Sequence, residues 1–313
     1  MFSDFRLVNF SEKLMTVRQN LGYTRQMVSE LTGINPDTLR KIEKGKCVPR
    51  FETIEILSYL YKIDLIKLLS HYKSNPTLSY FYESIDSYIV NNDVHLLIQI
   101  HKAFKAWNTP SHTASIINRS ELIQLEQFLD ALIYRYSVQN CDLHIAMERL
   151  IASIQISIPD FSLSQWKASH YSPLELRHLY CIASFLIDNK QYVESKDILS
   201  YLIEKYHMTL TEKSEEINML IKFYALMSYN CHMLGEHTQA LNAANHGIEL
   251  CQKHSIMENL PLLLSRKGLA LMKLKSDVYP LYFTQAVNLL EIQNNFEQAK
   301  VYRDVYKKYG VHL

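Results

Sequence analysis

Residues 23–50 read YTRQMVSELTGINPDTLRKIEKGKCVPR, two short helices joined by a tight turn. Thr24 is placed to cap the first, because its hydroxyl can accept from a free amide of the opening turn. That helix runs to about Leu31, and Gly33 closes it. Asn35 is the next cap, and Pro36 follows at the first helical position, where a missing amide proton costs nothing and the fixed φ is already helical. Gly45 ends the second helix. Within it Leu39 and Ile42 face inward, with Val28 and Leu31 of the first helix as packing partners. Asp37, Thr38, Arg40, Lys41 and Lys44 are left pointing outward. That face joins hydrogen-bonding groups to positive charge, the chemistry that a helix entering the DNA major groove needs.

Gly22 and Thr24, Gly33, the run Ile42-Glu43-Lys44-Gly45 and Pro49 stand in the order and spacing of the Xre/Cro/repressor helix-turn-helix. The stretch from about Phe10 to Leu69 resembles that family. The resemblance implies that the helix starting at Pro36 is the recognition helix, and that Arg25 and Gln26, opening the preceding helix, touch the DNA backbone. Two positions depart from the pattern. Gln is usual where Arg25 stands, which alters the expected phosphate or base contact. A Ser or Thr cap is usual where Arg50 stands, so Arg50 places a basic group near the DNA and weakens the cap. On this reading Lys44, Lys46 and Arg50 hold phosphates while Thr38, Arg40 and Lys41 read bases.

Outward from the pair, residues 8–21 place Phe10, Leu14, Val17 and Leu21 on one face of an amphipathic helix that backs it. Residues 51–61 repeat the pattern with Ile54, Leu57 and Leu60, and Asp64 is set to cap a last short helix through Leu69. Five helices are therefore expected before residue 70. The segment HYKSNPTLS (71–79) interrupts the periodicity at Asn75-Pro76. The boundary is placed there, between a head of residues 1–72 and a second domain of residues 73–313.

A chain of 313 residues is long enough for two such domains. Its 48% apolar and 21% charged residues are those of a soluble globular protein. No run of about 18 apolar residues suggests a membrane span, and the opening MFSDFRLVNFSEK has no signal-peptide pattern. The net charge of +1 is unevenly spread: residues 1–72 hold 11 Lys/Arg against 8 Asp/Glu, and the remainder 22 against 24. Five of those eleven cations fall between Arg40 and Arg50, the local cluster that phosphate contact requires. Five cysteines, never spaced C-x-x-C, disfavour a disulfide framework or a zinc site and point to a reducing, cytoplasmic setting. The histidines are scattered without H-E-x-x-H spacing. No metal or cofactor is expected.

Beyond the boundary strand signals are almost absent and glycine and proline are scarce, so an all-α second domain of long helices follows. The one irregular stretch, residues 157–173, reads as a crossover or a ligand-facing loop. Leu179–Leu202 carries Ala183 on a first helix and Tyr192 with Ser195 opening a second; Tyr224–Gly247 puts Ser228, Gly235, Ala240 and Gly247 at matching places. Both segments resemble tetratricopeptide repeats, in which small residues let paired helices approach. A third unit, around Gly268, reads as distorted by an insertion from Ser276 to Pro280, and a fourth as spanning Phe283–Tyr306.

A repressor-type head followed by degenerate tetratricopeptide-like helix pairs resembles the RRNPP peptide-sensing regulators of the PlcR and Rgg type. The resemblance implies a cytoplasmic homodimer that binds an operator in double-stranded DNA, senses a short signalling peptide on the concave face of its repeats, as in quorum sensing, and so changes how the heads are held. On the repeat register that face presents Arg177, Tyr180, Cys181 and Ser184, then Lys222, Leu226 and Tyr229, then Ser265, Arg266 and Leu269. Arg and Lys suit a peptide carboxylate and Tyr offers rigid amphipathic surface. The family carries Asn on this face, whereas Cys181 and Leu226 stand at two such positions here. An alternative keeps the DNA head but makes the repeats a docking surface for a protein partner, or a dimerisation scaffold only. No nucleophile with base, phosphate loop or paired-carboxylate site stands out, which argues against an enzyme.

Overall fold

The computed structural model describes residues 7–70, 76–109, 119–137, 141–209 and 214–311. Its regular structure is helical, with no strand among the described residues. The described residues up to Tyr82 form one compact unit and those from Glu83 onward another.

The first unit holds α1 (Leu7–Asn20), α2 (Arg25–Thr32), α3 (Pro36–Glu43), α4 (Phe51–Tyr61) and α5 (Leu65–Ser70). The caps are those the sequence predicts. Thr24 accepts from the Met27 amide, Asn35 from Asp37 and Asp64 from Lys67. Gly33 and Gly45 take the left-handed conformation beyond α2 and α3. Arg50 precedes α4 without a side-chain cap, as its chemistry dictates. Phe10, Leu14, Val17, Val28, Leu39, Ile42, Ile54, Leu57, Tyr61, Leu65 and Leu69 form one core.

Two expected core positions are not in it: Leu31 is 61% and Leu21 46% exposed. On α2 the inward position is filled by Val28, and Leu31, three residues on, lies off that face. Tyr23 and Ile34, flanking α2, pack against the core instead, Tyr23 stacking on Tyr61 with ring centroids 6.2 Å apart.

The predicted break at residues 71–75 lies outside the described residues, and Pro76 opens α6 (Pro76–Asn91). The second unit takes the part of α6 from Glu83 onward and holds α7 (Val94–Trp107), α8 (Arg119–Ser137), α9 (Leu143–Gln155), α10 (Pro173–Asp188), α11 (Tyr192–Thr209), α12 (Ser214–Met233), α13 (His237–His254), α14 (Leu260–Lys273), α15 (Tyr279–Ile292) and α16 (Phe296–Lys307). From α7 onward each helix packs on the next, and α12 also meets α14, the neighbour-to-neighbour stacking of a solenoid.

The pairs α10/α11 and α12/α13 are built alike. Ser195 on α11 donates to the Ala183 carbonyl on α10, and Ser228 on α12 donates to the Ala240 carbonyl on α13, both at 2.8 Å. The same two positions carry Ala and Ser in opposite order, and either order gives one hydroxyl bridge at the close approach. The stretch before α10 is a packed connection: Trp166 lies against Tyr201 and Phe161 against Tyr171. Ser172 and Glu175 then form a capping box.

The later repeats differ from their predicted register. The insertion expected from Ser276 to Pro280 is visible as a five-residue turn, residues 274–278, between α14 and α15, against three residues in the α10/α11 and α12/α13 turns. Pro280 itself sits in the first turn of α15, where proline is compatible with a helix. The expected unit Phe283–Tyr306 begins on the second helix of the α14/α15 pair, and α16 stacks on that pair rather than completing a fourth of its own. Phe283 and Tyr306 still meet, stacked with centroids 4.1 Å apart.

Gly268 faces this stack: a Cβ added there would lie 2.6 Å from Phe283 Cδ1 and Cε1. Phe283 is fully buried and cannot swing away. Gly268→Ala is therefore expected to destabilise the repeat unit by about 1–3 kcal/mol through overpacking, read as a lower urea midpoint at unchanged slope. A Cβ at Gly247 would lie 2.7 and 2.8 Å from the Leu263 methyls and 3.3 Å from its Cγ, and Leu263 is fully buried too, so Gly247→Ala should lower the midpoint as well.

Candidate nucleic-acid interface and ligand cavity

In α3 the caps at Asn35 and Gly45 fix the helix, while Leu39 and Ile42 anchor it to the core. The same geometry leaves Asp37, Thr38, Arg40, Lys41 and Lys44 exposed, and Lys46 and Arg50 are exposed in the following turn. The cations therefore gather at the outer face of α3 and the turn beyond it. Asp37 and Arg40 pair at 3.1 Å; at this exposure such a pair contributes little and leaves Arg40 available.

Gln26 is exposed and bonded to Glu30. Arg25 is held inward: its Nε donates to Glu43 Oε2 at 2.8 Å, with 34% of its side-chain surface exposed. Glu43, fully buried, also receives the Arg18 guanidinium through Nε at 2.6 Å and Nη2 at 3.1 Å. One carboxylate thus ties α1, α2 and the end of α3 together, and the bond to Glu43 raises the Arg18 pKa above its ordinary value. The motif reading placed Glu43 in the head but did not reveal this clamp. Its only sequence signal is a cation, Arg18, directly beside the apolar face of α1.

In the second unit a cavity of about 740 Å³ opens among the end of α6, α12, α14 and the turns around α15 and α16. That volume lies within the roughly 300–1,000 Å³ of ligand clefts. Of the predicted ligand residues Lys222, Leu226 and Arg266 line it. Arg177, Tyr180, Cys181 and Tyr229 do not. Arg177 is buried against Asp86, bonded through Nε at 2.7 Å. Tyr180 and Cys181 are each 4% exposed, because α10 is enclosed on nearly every side and has no open concave stripe. The Tyr229 ring lies behind the wall with the Arg266 guanidinium 4.5 Å from its centroid. Ser265 and Leu269 are buried in α14.

The cavity's amides all lie outside the predicted ligand face. Asn91 and Asn92 come from the end of α6, Asn259 from the start of α14, and Gln293, Asn295 and Gln298 from beyond α15. Two of these turns share a visible signal, an Asn-Asn pair whose member at residue 92 or 294 adopts a left-handed φ. Asn259 precedes α14 without capping it, and its buried Nδ2 has no partner. Among the described residues the Lys222 ammonium reaches only the Val90 carbonyl, at 3.1 Å. Burial, reinforced by the Arg266 charge, lowers Lys222 to about 8. Burial lowers Arg266 as well, against the opposing effect of Tyr302 and Tyr229.

The helix-turn-helix family matches residues 14–68. No curated protein sequence matches the chain. Among solved structures the chain is similar to Bacillus thuringiensis PlcR in complex with the peptide PapR7 and DNA, at 13% identity and a TM-score of 0.67 over 94% of this chain and 99% of that one. It is also similar to ComR from S. thermophilus in complex with DNA and its signalling peptide ComS, at 14% identity and a TM-score of 0.56 over 93% and 97%. The Streptococcus dysgalactiae SHP pheromone receptor Rgg2 aligns at 10% identity and a TM-score of 0.55 over 96% and 98%. The chain therefore carries a helix-turn-helix head, and nearly its whole length takes the all-α fold of PlcR, ComR and Rgg2.

Proposed function

We propose that the protein is a sequence-specific DNA-binding transcriptional regulator of the RRNPP type, acting in the cytoplasm, whose repeat unit senses a short signalling peptide. The observation that carries the reading is one chain holding both an exposed cationic reading helix and, in its repeats, an amide-rich cavity in the size range of ligand clefts. Similarity to PlcR with PapR7 and DNA supports the combination. Among the described residues no helix is long and apolar enough to cross a membrane.

On this reading a homodimer grips two half-sites about one helical turn, roughly 34 Å, apart. Lys44, Lys46 and Arg50 hold phosphates, Gln26 and the outer edge of Arg25 follow the backbone, and Thr38, Arg40 and Lys41 read base edges beside Asp37. Peptide in the cavity favours one spacing of the heads over another by binding it more tightly.

Fluorescence anisotropy with DNA from beside the protein's own gene tests this. Arg40→Ala should cost about 1–3 kcal/mol on the preferred sequence and relax specificity at one position. Lys44→Ala should weaken all sequences alike and flatten the salt slope by about one. A peptide fraction from spent medium should shift the wild-type curve saturably. Unchanged affinity and preference in Arg40→Ala would refute the reading helix, whereas DNA binding indifferent to peptide would leave the repeats as a docking or dimerisation scaffold.

A further inference from the structure

Two cations stand at the cavity without a counter-charge. Among the described residues neither Lys222 nor Arg266 has a carboxylate within ion-pair distance; Lys222 meets a neutral carbonyl, and Arg266 meets an aromatic face and leaves its buried Nε without a partner. Among the described lining residues the one acid, Glu258, is exposed. Buried charges in folded proteins are paired or neutralised, because an isolated ion in a low-dielectric site is costly. Two like charges on adjacent helices, with the unpartnered Asn259 amide on the same wall, form an arrangement that the described residues alone do not balance.

We propose that Lys222 and Arg266 form the anchoring subsite of the cavity and receive a carboxylate of the ligand, either a peptide's C-terminal carboxylate or an Asp or Glu side chain. The proposal rests on the peptide-sensing reading and specifies its ligand: an acidic or free-acid peptide rather than a cationic or C-terminally amidated one. An incoming carboxylate supplies the missing counter-charge for both helices at once, drawing α12 and α14 onto a common partner. The planar guanidinium and the ammonium offer it several charge-assisted donors. Asn259 Nδ2, already desolvated, can donate to an adjacent carbonyl of the ligand backbone. Lys222, lowered to about 8 by burial and by Arg266, remains charged at neutral pH and gains its natural partner when the anion enters.

The test uses the full chain and a random hexapeptide library acetylated at the N-terminus, made once with free C-terminal carboxylates and once as carboxamides. Peptides retained by the protein are identified by mass spectrometry. Wild type should retain free acids, or carboxamides rich in Asp or Glu, at least about tenfold over uncharged carboxamides, the discrimination that a charge-assisted hydrogen bond provides. Lys222→Met and Arg266→Gln should each lose that preference while retaining helical circular dichroism and DNA binding. Retention blind to charge in wild type would overturn the carboxylate subsite and leave peptide sensing standing. No retention of any peptide would overturn peptide sensing and the subsite with it. The wild-type comparison needs no variant, so a substitution that unfolds the repeats does not spoil it.

Discussion

Glu43→Ala is expected to destabilise the helix-turn-helix head strongly while leaving the repeat unit unaffected. The carboxylate is fully buried and the Arg18 side chain beside it is 7% exposed, so truncation leaves a guanidinium in the core without a counter-ion. Breaking a buried pair in this way costs about 3–5 kcal/mol, a large part of the roughly 5–15 kcal/mol that a domain possesses. Both tryptophans, Trp107 and Trp166, lie in the second unit. The readout is therefore hydrogen exchange of residues 7–70, which should lose protection, together with loss of DNA binding. Arg25→Ala, removing the partner that keeps 34% of its side-chain surface exposed, should cost about 1 kcal/mol or less. The double variant Arg18→Met/Glu43→Leu should recover most of the loss, because replacing both ions by apolar groups removes the desolvation penalty along with the attraction. Full protection in Glu43→Ala would show that the clamp contributes nothing to the head.

This clamp also marks where sequence stops being informative. The caps at Thr24, Asn35 and Asp64 are legible because each joins residues at most three apart, and the core of the head is legible because its period is local. Arg18 and Glu43 are 25 residues apart, and nothing in either neighbourhood announces the other. The repeat unit repeats the lesson. Ala183, Ser195, Ser228 and Ala240 were recognisable as small residues at helix crossings. The cavity draws on residues near 90, 222, 259 and 295, a grouping that only the stacking of helices creates. Some helix ends carry no glycine signal, because Lys190, Ser255 and Lys275 take the left-handed conformation that glycine usually marks. Of the predicted ligand face, Lys222, Leu226 and Arg266 reach the cavity. Arg177, Tyr180 and Cys181 do not, because a helix buried all round presents no face to a ligand.

The repeat unit should also be acid-sensitive well above the range in which carboxylates titrate, and one residue accounts for it. His178 on α10 is fully buried. Its Nδ1 faces the Leu174 carbonyl at 2.9 Å, its Nε2 the Ser153 hydroxyl at 2.8 Å, and its ring lies 4.2 Å from that of Phe128. The neutral ring can donate from Nδ1 and share the Ser153 proton with the Gln124 carbonyl, which that hydroxyl also meets at 2.8 Å. Burial is the largest influence and lowers His178 to about 4; the Leu174 bond and Glu175 oppose it, and Arg177 adds to it. Since the folded value lies below the unfolded value of 6.5, the unfolded chain binds the proton more readily. The contribution of His178 is therefore complete above pH 6.5 and is lost as pH falls toward 4, by roughly 3 kcal/mol in total. Between pH 6.5 and 5 wild type should lose roughly 2 kcal/mol in urea unfolding followed by tryptophan fluorescence. His178→Gln keeps a polar group beside Ser153 but has no proton to take up, so its stability should change far less over the same interval. Parallel pH dependences for the two proteins would mean that His178 already accommodates its charge in the fold, and that another group sets the response to acid.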